Sequence, residues 1–143
     1  MPDVTQDFPI AVPPERVFAA ISTPDGLSRW WTKRAAGEAK AGSTWELGFG
    51  PGYDWRARVT RCDPDASFEL QIVSADADWQ GTRVGFELTP TATGTQVHFH
   101  HLGWPQGNEH YRISCFCWAM YLRVMKRNLE HGETVPYELR LEV

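Results

Sequence analysis

From Thr44 to Trp104 apolar residues recur at every second position, and beyond Pro105 the repeat turns helical, a change that restricts the folds open to this chain. "TWELGF" (44–49) sets Trp45, Leu47 and Phe49 on one face, and "YDWRARVTRC" (53–62) sets Tyr53, Trp55, Ala57 and Val59 against Asp54, Arg56, Arg58 and Thr60. "SFELQIV" (67–73) and "TRVGFELTP" (82–90) repeat the pattern through Phe68, Leu70 and Ile72, then Val84, Phe86 and Leu88, and "TQVHFHHLGW" (95–104) continues it. A period of two is that of a half-buried strand. The turn sequences "GPG" (50–52), "DPDA" (63–66) and "TATG" (91–94) separate the runs, so about five strands follow one another as an antiparallel meander.

After Pro105 the repeat becomes helical. The stretch from Asn108 to His131 predicts one long helix ended by Gly132, with Ile113, Phe116, Met120 and Val124 in its apolar stripe and Trp118, Leu122, Met125 and Leu129 beside them. Ahead of the meander, Val4–Val12 reads as extended, "PPERVFAAIST" (13–23) as a short amphipathic helix and "PDGLSRWW" (24–31) as a second one with Thr23 as its N-cap. A loop rich in Ala, Gly and Lys runs on to about Ser43, and the tail "VPYELRLEV" (135–143) alternates weakly, as a strand or a frayed end. The expectation is an α+β, single-domain chain over residues 1–143, with a curved antiparallel sheet of six or seven strands wrapped around the C-terminal helix. A sheet curled round a helix leaves a space where a ligand is first sought.

Composition excludes several partners. Lys and Arg total 14 against 18 Asp and Glu, and no basic stripe suited to a phosphate backbone is present. Cys62, Cys115 and Cys117 are odd in number, and Cys-Phe-Cys lacks the gap of a redox or zinc motif, so they read as reduced thiols. The acidic N-terminus and the lack of an apolar run near ~20 residues predict no signal peptide and no membrane span, hence a cytoplasmic protein.

Four stretches, "VPPERVFAAISTPDGLSRWWT" (12–32), "VTRCDPDASFEL" (59–70), "VGFELTPTATGTQVHFHHLGW" (84–104) and "LRVMKRNLEHGE" (122–133), together resemble the family related to the C-terminal domain of the activator of the heat-shock protein 90 ATPase. That family sits within the START-like, or SRPBCC, superfamily of helix-grip folds. The resemblance implies an internal apolar cavity used across the superfamily for hydrophobic small molecules. Some relatives bind lipids, hormones or polyketides, some catalyse cyclisation or dehydration, and the eponymous domain contacts a chaperone. The separate N-terminal domain of the eukaryotic co-chaperone is missing here, which argues against a chaperone partner.

The candidate site residues follow from strand alternation. In "HFHHLGW" (98–104), Val97, Phe99 and His101 share the apolar face and His98 and His100 the other. His101 therefore looks inward, either as an acid or base near neutral pH or as a buried anchor of the strand end. His98 and His100 face solvent, and with no third ligand supplied the expectation is no metal and no cofactor. Trp45, Trp55, Phe86, Phe99, Trp118 and Tyr121, with Met120, are candidates for a ligand-binding wall or for core filling. Trp30 and Trp31 are candidates for the cavity portal, or for a plug at the end of the sheet. Glu46, Asp54, Glu69 and Glu87 face outward, and no phosphate loop or nucleophile elbow is present. Three functions remain: a binder of a small hydrophobic or aromatic molecule, an enzyme using His101 on a cavity-bound carbonyl, and a chaperone-linked or homodimeric interaction module.

Overall fold

The computed structural model describes residues 2–143. Its seven strands form one antiparallel sheet in which the first two strands lie at opposite edges. They are β1 (Val4–Ile10), β2 (Arg34–Ala36), β3 (Thr44–Gly48), β4 (Asp54–Asp63), β5 (Ser67–Ser74), β6 (Arg83–Pro90) and β7 (Thr95–Leu102), in the spatial order β1-β7-β6-β5-β4-β3-β2. Strands β3 to β7 are the expected meander. β1 joins its far end by pairing with β7, Val4 opposite His101 and Ile10 opposite Thr95.

Helices α1 (Pro14–Ser22) and α2 (Pro24–Ser28) carry the chain from one edge to the other. Pro14 opens α1, and the Thr23 hydroxyl accepts from the Gly26 N–H to cap α2. Gly26 sits so close to the backbone of Ala19 and Ala20 that a Cβ there would collide with them. A side chain at this position would force the two helices apart. The stretch 34–36, expected as loop, is instead β2, a three-residue edge strand laid against β3 with Ala35 opposite Leu47.

Helix α3 (Glu109–His131) has the expected bounds. The Asn108 side chain accepts from the Tyr111 N–H at its start, and Gly132 ends it in the left-handed conformation at φ 68°. The apolar stripe needs correction. Ser114, Trp118, Leu122 and Met125 are buried, whereas Ile113 and Phe116 are 52% and 77% exposed. At 3.6 residues per turn Phe116 lies about 160° round the helix from Trp118, so the two cannot face one sheet.

The tail is neither strand nor frayed end. Tyr137–Glu142 form a 3-10 helix, and Arg140 is buried with its guanidinium donating to the carbonyls of Ser28 (2.7 Å), Val135 (3.1 Å) and Thr32 (3.2 Å). Ser28 ends α2, where a helix leaves carbonyls unpaired and favours a cation, and Thr32 lies four residues further on. Tyr53, expected inward, falls in the turn before β4 and is exposed.

Candidate functional site

The inward faces of the strands and the buried face of α3 meet in a continuous body of aromatic rings. Phe86 of β6 lies 5.2 Å from Phe99 of β7, and Phe99 lies 4.6 Å from Trp118 of α3. Trp118 lies 5.3 Å from Trp31 and 6.4 Å from Tyr121, and Trp30 bridges Trp31 and Phe86 at 6.0 and 5.9 Å. Trp55 of β4 enters through Phe49 at 4.9 Å and Trp79 at 5.2 Å. These offset and edge-on contacts suit the ring quadrupoles and fix the rings against one another.

The structure thus brings together Trp55, Phe86, Phe99, His101, Trp118 and Tyr121. Trp45 stands apart with Phe68 at 6.0 Å, its indole N–H donating to the Glu38 carbonyl. Met120 is buried, but two residues on from Trp118 it lies about 160° round α3 and outside the main core. Trp30 and Trp31 are 1% and 3% exposed, so neither stands open as a portal residue. The Trp30 N–H donates to the Ala20 carbonyl, which holds this ring against α1 as a plug at the end of the sheet.

His101 points inward, as alternation requires, and is fully buried. The Trp118 indole donates to His101 Nδ1 over 3.0 Å, and His101 Nε2 lies 2.8 Å from the Thr82 hydroxyl. An indole nitrogen can only donate, so Nδ1 accepts and Nε2 carries the proton. Thr82 Oγ1 in turn donates to the Trp79 carbonyl at 2.5 Å. The ring is therefore held neutral in one tautomer with both nitrogens engaged. Burial, aided by the charges of His100 and His110, pushes its pKa down to about 3. This is the buried anchor of the strand end.

The outward histidines are not simply solvated. His98 Nδ1 lies 2.6 Å from Asp7, and His100 Nε2 lies 2.7 Å from Glu69. Glu69 is outward-facing by alternation, yet only 7% exposed, because the His100 ring covers it. Glu69, Gly85 and His100 stand in register on β5, β6 and β7. The pair closes over Gly85, where a Cβ would run into the His100 ring. The His100 hydrogen bond, against the opposing effect of burial, holds the Glu69 carboxyl down at about 2, with Thr60 and Arg83 assisting. Arg56 and Arg58 are exposed, so the irregular register of β4 does not turn them inward.

Among the described residues no group of three or more His, Cys, Asp or Glu is placed to hold a metal, and no helix is long and apolar enough to cross a membrane. The three cysteines carry no disulfide, and burial pushes the Cys62 and Cys117 thiols up, away from nucleophilic form. Surface clefts include one of about 330 Å³ between β1 and α3, lined by Phe8, Pro9, Leu122 and Lys126. Another, of about 450 Å³, is lined by the charged residues Arg34, Glu46, Asp54 and Arg56.

Sequence reasoning did not single out Trp79, from the loop between β5 and β6, whose ring touches Trp118, Trp31, Trp55, Trp104 and His101. The only signal was a large aromatic residue amid the turn-forming "SADADWQGT" (74–82).

The family described as "Activator of Hsp90 ATPase homolog 1-like protein" matches residues 11–130, from just after β1 to the last turn of α3. The chain belongs to this family. Among solved structures, an Aha1 dimer from Colwellia psychrerythraea is 29% identical with a TM-score of 0.84, over 93% of this chain and 99% of that one. A protein from Staphylococcus saprophyticus is 19% identical with a TM-score of 0.79, over 94% and 96%. DynU16, a protein of the dynemicin biosynthetic locus, is 18% identical with a TM-score of 0.76, over 94% of this chain and 50% of that one. The latter two share the helix-grip fold with this activator-like chain. Comparison with proteins of curated function finds no match.

Proposed function

We propose that this activator-like protein is a START-like binding domain that receives a small, flat, apolar molecule between its sheet and α3. The observation that carries this reading is the aromatic interior itself, where rings from β4, β6, β7, α3 and two loops converge on Trp118 and Trp79. Ligand sites are lined mainly by apolar and aromatic side chains, and converging indole faces offer stacking surface to a planar guest. The family's scaffold and the fold shared with a protein of the dynemicin biosynthetic locus support the same reading. Catalysis by His101 is not favoured, because both ring nitrogens are engaged and the neutral form is held far below neutral pH. Native mass spectrometry of freshly purified protein, followed by organic extraction, tests the proposal. A bound aromatic compound is expected, and protein of bare mass that binds no planar aromatic in fluorescence titration overturns it.

A second reading, a homodimer, draws on the exposed Ile113 and Phe116 of α3 and on the Colwellia relative, described as a dimer. Phe116 at 77% exposure is the most exposed large apolar side chain among these residues, and such patches mark contact surfaces. The unpaired cysteines suit a reducing, cytoplasmic setting.

A further inference from the structure

Two buried indoles in the aromatic interior lack something to donate to. Trp79 is 8% exposed and Trp104 fully buried, and neither indole N–H has a hydrogen-bond partner. Their rings lie 5.9 Å apart and both border His101. A buried N–H left unpaired forfeits the bond it made with water, so interiors nearly always supply an acceptor. Two such groups in one cluster mark a place where acceptor atoms are missing.

Trp79 comes to this cluster from the loop between β5 and β6. It stacks against Trp118 at 5.6 Å with 25° between planes and against Trp31 at 6.5 Å with 26°, but it is carried by a loop and not by the sheet. Its neighbours Asp76, Ala77, Gln80 and Gly81 are exposed, and Gly81 turns the chain at φ 87°. Besides that stack, Asp78 ties the loop's tip to the start of α3 by hydrogen bonds, accepting from Asn108 Nδ2 at 3.2 Å and lying 3.0 Å from His110 Nδ1. Withdrawal of this loop takes the Trp79 ring off the faces of Trp31 and Trp118 and away from the ring of Trp104. It also releases the Thr82 hydroxyl from the Trp79 carbonyl. The uncovered slot is then aromatic on its walls, with the Thr82 hydroxyl and the unpaired Trp104 indole beside it.

We propose that Trp79 is a plug seated in the site of a planar aromatic ligand that bears hydrogen-bond-accepting oxygen, such as a ketone or quinone. The ligand displaces the indole from its stack on Trp118 and accepts from Trp104 and Thr82. This rests on the binding function proposed above and adds the ligand's polar chemistry and the element that moves. Because the closed state must open first, the apparent affinity is reduced by the open fraction, and removing the plug raises it.

The test uses 9-fluorenone and fluorene, two planar tricyclic molecules that differ by a ketone, titrated into the full chain with its seven indole N–H signals followed by NMR. Fluorenone is expected to move the Trp79 and Trp104 signals in the wild type, and to bind Trp79→Ala about tenfold or more tighter. Fluorene is expected to bind both forms several-fold more weakly. Should Trp79→Ala fail to fold, Asp78→Ala, which cuts the tie to α3, is expected to tighten fluorenone binding in its place. Fluorenone binding that leaves the Trp79 signal unmoved, with no gain in either variant, overturns the plug while the binding function stands. Equal affinity for fluorene overturns the accepting oxygen. No binding of either probe to any form removes the binding function together with the plug.

Discussion

Trp118 in α3 donates its indole N–H to Nδ1 of His101 at the end of β7, over 3.0 Å. The bond joins the gripped helix to the gripping sheet at a point from which solvent is excluded. It also sets the order of the chain of donors that follows, His101 to Thr82 and Thr82 to the Trp79 carbonyl. Each member is satisfied only while the others keep their places.

The buried His101 makes stability depend on pH. Its folded-state pKa, about 3, lies below its ordinary value of 6.5, so between those values the unfolded chain binds a proton that the native one refuses. The contribution is full above pH 6.5 and is lost as the pH falls, at about 1.4 kcal/mol per pH unit. Urea unfolding at pH 7.5, 6 and 5 should show this slope in the wild type. His101→Gln, which keeps an acceptor and a donor but does not titrate, should flatten it, and parallel profiles would remove His101 as the cause.

Glu69 governs a lower range. Its carboxyl, held at about 2 chiefly by His100, contributes stability above its ordinary 4.5 that drains away as the pH falls from there to about 2. The full contribution is about 3 kcal/mol. Glu69→Gln should lose most of it at neutral pH and show a shallower acid limb. Gly85→Ala, whose Cβ meets the His100 ring, should cost about 1–3 kcal/mol through the same pair. An acid-unfolding midpoint unchanged in both variants would contradict the assignment.

Arg140 fastens the tail to the end of α2. Arg140→Met keeps length and apolar stem but leaves the Ser28 and Thr32 carbonyls without their donor, at an expected cost of about 1.5–3 kcal/mol. Limited proteolysis should then cut after α3 well before the body of the protein is attacked. Wild-type resistance at that point would refute the docking role.

Phe116→Ser should leave the stability of the single chain within about 0.5 kcal/mol, since the ring is exposed. In sedimentation at high protein concentration the wild type should be dimeric and this variant monomeric. A wild type that sediments as a monomer, or a variant that stays dimeric, rules out this surface of α3 as the contact.

What was legible in the sequence is what short-range chemistry writes down. Asn108 and Gly132 announce the two ends of α3, and strict alternation turned Phe99 and His101 inward. Three features escaped because their partners are remote or their backbone has no repeat. β2 is three residues of no distinctive pattern, made a strand only by β3. Arg140 is explained by a carbonyl 112 residues earlier. Trp79 sits in a loop, where no period tells which way a ring points. For the Glu69–His100 pair the one local hint was Gly85 within a strand, a sign that something else needs the room.

The pairing of β1 with β7 bears on how the chain reaches this state. Val4 and His101 are neighbours across the ladder although most of the sequence lies between them. β1 must wait for β7, and its own edge stays unpaired until the meander has assembled. Topologies of such high contact order fold on the order of milliseconds to seconds. Substitutions in β1 are therefore expected to act mainly on the unfolding rate, as is usual for contacts that close after the folding nucleus has formed.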